Sequence, residues 1–276
     1  MYAPTVMTGI AHRTKGDPMH ELSIRLADFD ILIRARHDYV VKQCKDYLCP
    51  APLTPETADL TVEASAEELA EEKSKNPPHM QEGYMESICI YRAICRLLPL
   101  KGAMLLHGAV ISDGTYGYAF TANSGVGKTT HIKLWQKAFG KEISIINGDK
   151  PIVRKLDGKW YAYGTPWCGK EGWNVNTRVP LAAICFLRRG ETNIIAPFLT
   201  ENALVDIMPQ LLIPSDAPSL MATLDLLDGI LTEIPLFELH CTISEEAARI
   251  AREAMTPAPL KNPTLKERLT GLLAKK

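Results

Sequence analysis

The stretch best equipped for chemistry is residues 122–129, Ala-Asn-Ser-Gly-Val-Gly-Lys-Thr. Small residues in such a loop let successive backbone N–H groups point at one bound polyphosphate. A lysine then reaches the β- and γ-phosphates, and a hydroxyl ligates the accompanying metal. Gly125, Gly127, Lys128 and Thr129 supply those parts, with Asn123, Ser124, Val126 and Thr130 completing the cradle. A helix opening at the lysine would add the positive end of its dipole. Ala122 replaces the usual first glycine, a tolerated but weaker form. The expected ligands are ATP and Mg²⁺, with Thr129 on the metal.

Three further features could act on such a phosphate. Asp149 lies about 20 residues beyond the loop, at the end of the apolar run 143–146. There a carboxylate can meet bound Mg²⁺, directly or through water, or accept a proton from an attacking hydroxyl; the plain alternative is a turn residue. His107, in Leu-Leu-His-Gly, falls on the strand expected before the loop strand, where a lone histidine is commonly packed core. Residues 164–170, Gly-Thr-Pro-Trp-Cys-Gly-Lys, form a glycine- and proline-bounded loop of a kind that often carries sites. In it Lys170 reads as an anion contact and Trp167 as a wall, with Thr165 and the neighbouring Lys150 as further substrate contacts.

The elements that must hold these residues follow from the pattern. Residues 104–111 and 116–121 read as strands joined by the tight turn Ser-Asp-Gly-Thr, and a helix is expected over 128–139, ending at Gly140. Residues 143–146 form a strand, 151–154 and 160–163 a hairpin around Asp157-Gly158, and 179–187 another strand. Residues 201–232 read as helical with proline interruptions, 236–239 as a strand and 244–255 as a helix. Hairpins beside the phosphate loop imply a mixed sheet.

Upstream, 22–26, 29–33 and 39–41 read as short strands. A helix begins at Ser65, where Glu68 completes a capping box, and stops at Pro77-Pro78. Residues 85–98 carry the spacing of a buried helix. This divides the chain into an N-terminal α/β region (1–100) packed on the core, a nucleotide-binding core (101–256) and a basic tail (257–276), together one compact unit.

Composition adds limits. The chain has 276 residues, 46% hydrophobic and 23% charged, with a formal charge of −1, which gives no reason to expect a nucleic-acid or membrane partner. Seven cysteines without paired CxxC spacing support neither a zinc site nor a disulfide framework, so reduced, buried thiols are expected. Neither a leader-like segment nor a run of roughly 20 apolar residues occurs, and the cytoplasm is expected. A homo-oligomer is compatible with all of this.

Together these residues resemble the HPr kinase/phosphorylase family, whose nucleotide domain is similar to that of ATP-dependent phosphoenolpyruvate carboxykinase. The resemblance runs through Leu106-His107-Gly108, the Ser-Gly-Val-Gly-Lys core at 124–128 and Gly148-Asp149, and covers roughly residues 103–190. It implies an α/β fold with a mixed-sheet P-loop domain of that type and flanking helices. It also implies that His107 and Asp149 assist transfer of the γ-phosphate to a hydroxyl. One departure is that Gly148 stands where the family has the first of two aspartates. Another is the lack of the C-terminal loop and basic helix that grip HPr, so the acceptor is expected to be a small metabolite or a peptide or protein serine other than HPr. The competing reading is a regulatory protein that binds ATP without catalysis. A carboxykinase would need arginines and metal ligands for a dicarboxylate that the sequence does not place.

Overall fold

The computed structural model describes residues 19–257; the basic tail, apart from Pro257, lies outside them. The chain opens with the hairpin β1 (His20–Leu26) and β2 (Phe29–Ala35), paired Leu26 to Phe29. Ala27 and Asp28 turn it with φ of 53° and 61°, the backbone a two-residue hairpin loop demands. β3 (Leu60–Glu63) joins parallel to β2. Residues 39–41 are helical, not extended: α1 (Asp38–Gln43) includes them and packs on α3. Burial of Val40 overrides the local β preference of its neighbours. α2 (Ala66–Lys75) has the expected reciprocal cap between Ser65 and Glu68. α3 (Glu82–Leu97) is buried along most of one side.

The second sheet holds the glycine-rich loop 122–129. Its strands are β4 (Ala103–Leu105), β5 (Ala109–Ser112), β6 (Gly117–Thr121), β7 (Ser144–Asn147), β8 (Ile152–Leu156), β9 (Lys159–Tyr163), β10 (Arg178–Arg189), β11 (Ile194–Pro197) and β12 (Leu236–Cys241). The order is β4-β8-β9-β10-β6-β5-β7, with β12 also on β10 and β11 on β12. Only β6–β10 and β10–β12 are parallel. The fold is therefore mixed α/β with a mixed sheet, as the hairpin pattern implied. β3 and β11, four residues each, were not expected.

The helices α4 (Lys128–Phe139), α5 (Thr200–Ile207), α6 (Ala217–Glu233) and α7 (Glu245–Met255) flank that sheet. Ile132 and Trp135 of α4 are fully buried against Tyr118 and Phe120 of β6. α7 lies beside α4 and puts the Arg252 guanidinium 4.4 Å from the centre of the Phe139 ring. The core of the first sheet and α3 runs on without a break into Leu105, Ile152, Tyr163 and Trp167. All seven cysteines are free thiols. Among the described residues no helix is long and apolar enough to cross a membrane.

Candidate functional site

The loop between β6 and α4 turns through Gly125 at φ 79° and Gly127 at φ 129°. Those values are cheap only for glycine and free the N–H groups that would otherwise pair. Val126 N–H donates to the Asn123 carbonyl at 3.3 Å, and Lys128 Nζ folds back to the Ala122 carbonyl at 3.0 Å. Burial, aided by the Lys150 charge and opposed by that of Asp149, holds the Lys128 ammonium below its ordinary pKa. An anion arriving there would regain the lost solvation. Ser124 is exposed at the loop tip, and Thr129 and Thr130 follow in the first turn of α4.

Asp149 lies just beyond the end of β7. His107 Nε2 is 3.2 Å from its Oδ1, and Lys150 Nζ is 3.1 Å from its Oδ2. Burial alone would raise this carboxyl. The His107 hydrogen bond and the Lys150 charge outweigh it and hold the pKa below the usual carboxylate value. Asp149 therefore stays ionised and suits accepting a hydroxyl hydrogen bond or facing a cation.

The frame around Asp149 is built by Asn147. Its Oδ1 accepts from the backbone N–H of Asp149 and of Lys150, at 2.9 and 2.7 Å. Its Nδ2 donates to the carbonyl and the hydroxyl of Thr165 at 3.0 and 3.1 Å. Such a side chain fixes the turn as a backbone group would. Thr165 is fully buried, and its hydroxyl donates to the Lys150 carbonyl at 2.8 Å. That corrects its reading as a substrate contact: it braces the turn from behind.

His107 also departs from expectation. It lies in the break between β4 and β5, not on one continuous strand. Its N–H donates to the Gln210 carbonyl at 2.8 Å, and the Thr121 hydroxyl donates to its carbonyl at 3.0 Å. Gly108 N–H in turn donates to the Asp149 carbonyl at 2.9 Å. The break thus delivers the imidazole to Asp149.

Two cavities flank these residues. One, of about 590 Å³, is lined by His107, Asp149, Lys150, Trp167 and Lys170 together with residues of α1 and α3. The other, of about 720 Å³, lies between Gly125–Gly127, Thr130 and His131 on one side and the ends of β10 and β12 on the other. Of the expected substrate contacts, Lys150, Trp167 and Lys170 thus line one cavity together, and Thr165 does not.

Several residues here were not singled out by sequence. Arg189 donates through Nη2 to the Gly125 carbonyl at 2.6 Å, steadying the loop from outside. Gln210 Nε2 reaches Asn123 Oδ1 at 3.3 Å. Asn147 could have been found from Asn-Gly-Asp after a strand, a recognised turn signal; Arg189 and Gln210 carry no local signal.

Among the described residues no three His, Cys, Asp or Glu side chains gather as a metal cage. Mg²⁺ needs none. It takes hard oxygen ligands, commonly one or two from protein with the rest from phosphates and water. The Thr129 hydroxyl and the ionised Asp149 are donors of that kind.

No family model matches the chain, and no curated protein matches it. Among solved structures, the chain is similar to the Hpr(Ser) kinase/phosphatase from Coxiella burnetii, with a TM-score of 0.31 and 11% sequence identity. That match covers 55% of this chain and 98% of the other, a distant likeness in fold.

Proposed function

We propose that the chain is a kinase that transfers the γ-phosphate of Mg·ATP to a hydroxyl acceptor, on a P-loop fold of the carboxykinase/HPr kinase type. The observation that carries this reading is the placement of Asp149 and His107 on the wall of a cavity, with Asp149 close enough to Lys128 for their charges to interact. Backbone N–H groups of 123–128 bind the phosphates and Lys128 neutralises charge on the β- and γ-oxygens. Thr129 and Asp149 would hold the magnesium, which when bound would offset the charge of the phosphates. Asp149, oriented by His107 and Lys150, accepts the acceptor's hydroxyl hydrogen and aims its oxygen at phosphorus. A loose transition state needs positioning and charge neutralisation more than a strong base, which suits a carboxylate of depressed pKa. Lys128→Ala should abolish ADP formation with the melting temperature unchanged; an undiminished rate in that variant sinks the assignment.

One observation favours a second reading, an ATP-binding regulator without catalysis. A Cβ at Gly148 would lie 2.9 Å from the Cys168 carbonyl oxygen and 3.3 Å from Trp173 Cβ. The loop is packed where a second acid would stand. Acceptor-dependent ADP release separates the two, because a regulator shows none.

A further inference from the structure

The cavity that reaches Asp149 is roofed by the N-terminal helices, and the roof limits what can be phosphorylated. α1 supplies Tyr39 and Gln43, and α3 supplies Tyr84, Ser87 and Tyr91, opposite the loop that carries Trp167 and Lys170. This roof is fastened. Trp167 Nε1 donates to Ser87 Oγ at 2.9 Å, the Ser87 hydroxyl donates to Gln43 Oε1, and Gln43 Nε2 donates to the Pro166 carbonyl at 3.2 Å. About 590 Å³ is the size of a small-molecule site. A serine on a folded protein brings its own backbone within two bonds of the hydroxyl and needs an open groove instead.

The lining indicates the chemistry of the occupant. Tyr91 is 7% exposed, packs with its ring tilted 42° against that of Trp167 at 5.1 Å, and lines the cavity. Its hydroxyl has no hydrogen-bond partner; the nearby Cys95 thiol is a weak one at best. That hydroxyl is itself buried, so what Tyr91 offers an occupant is its ring. Among the cations of the lining, Arg92 is paired with Glu72 and Lys150 with Asp149, while Lys170 forms no ion pair with any described residue.

Resting on the kinase reading above, we propose that the acceptor is a small hydroxylated metabolite that carries an anionic group, a hydroxy acid or a sugar phosphate, enclosed in this cavity. Its anion pairs with Lys170, its body lies against Trp167 and Tyr91, and its reacting hydroxyl meets Asp149. In the transfer, the acceptor oxygen bonds to the γ-phosphorus as the bond from that phosphorus to the bridging oxygen of ADP breaks. The hydroxyl proton passes to Asp149 and then to water, and ADP leaves with the bridging oxygen.

The test incubates the full chain with Mg·ATP and four sets of acceptors: small hydroxy acids, sugar phosphates, neutral polyols of equal size, and serine-containing decapeptides. ADP and phosphorylated product are measured. Turnover confined to the hydroxy acids or to the sugar phosphates supports the proposal and tells which anion is read. Lys170→Ala should then raise the KM for that acceptor about tenfold, equivalent to about 1.4 kcal/mol, with the KM for ATP within about twofold. Turnover of the peptides alone, or of neutral polyols as readily as acids with Lys170→Ala silent, overturns it and leaves the kinase reading standing. Absence of ADP release in all four sets overturns both.

Discussion

At the scale of single residues the site depends on one carboxylate and the amide that aims it. On the kinase reading, Asp149→Asn keeps the shape and one acceptor oxygen but removes the charge that faces Lys128 and that would face the magnesium. It should lower kcat by roughly 10²-fold or more, measured as acceptor-dependent ADP release. Asn147 is wholly buried and satisfies two backbone N–H groups while donating to Thr165. Asn147→Ala should cost about 2 kcal/mol of stability by chemical denaturation, because those N–H groups stay buried without partners. Turnover should fall further than ATP affinity does, since Asn147 touches the Asp149 turn and not the phosphate loop. Gly148→Asp tests whether a second acid can be restored. The contact its Cβ would make, 2.9 Å from the Cys168 carbonyl oxygen, predicts a loss of about 1–3 kcal/mol from overpacking. A stable and more active variant would show that the loop yields easily.

At the scale of elements, the glycine-rich loop 122–129, the preceding hairpin and α4 were legible because each carries a local signal. Ser112 and Asp113 accept from the turn's own N–H groups, and Gly127 opens the helix. The placement of His107 was legible only in part. A continuous apolar run hides the break at 106–108, which is imposed by Gln210 and Asp149 from distant segments. Of the cavity's roof, α3 was legible as a buried helix over 85–98, but α1 was not, since it lies in a stretch of strand-like residues and meets the 164–177 loop through tertiary contacts such as Gln43 Nε2 to the Pro166 carbonyl at 3.2 Å. That loop has its own stringent point. A Cβ at Gly164 would lie 1.9 Å from the Val175 carbonyl oxygen and 2.7 Å from that of Ile146, so the loop's start, its end and β7 meet there with no room for a methyl group. Gly164→Ala should cost about 3 kcal/mol and displace Trp167 and Lys170 together. Expected readouts are a lowered thermal midpoint and a changed Trp emission spectrum; an unmoved midpoint would contradict the packing.

At the scale of the whole molecule, α4 couples the glycine-rich loop to the centre of the large sheet, and one histidine makes that coupling sensitive to acid. His131 is 3% exposed and lies 4.8 Å from the Phe120 ring. Trp135 Nε1 donates to its Nε2 at 3.0 Å, so the neutral ring carries its proton on Nδ1, which has no partner. Burial pushes its pKa down from 6.5 to about 4. The depressed value fixes the sign. Above pH 6.5 both the folded and the unfolded chain hold a neutral ring, and this group makes no difference to stability. Between 6.5 and about 4 the unfolded chain takes up a proton that the folded chain refuses, so stability falls with the pH. Over that window the loss amounts to roughly 3 kcal/mol. His131→Gln offers Trp135 an acceptor but does not titrate. Denaturant midpoints of the nucleotide-free protein and the variant, taken from pH 7 to pH 4, should therefore diverge, with the parent falling faster. Parallel curves would mean that the ring is protonated in the folded state, and that α4 does not seal it from water.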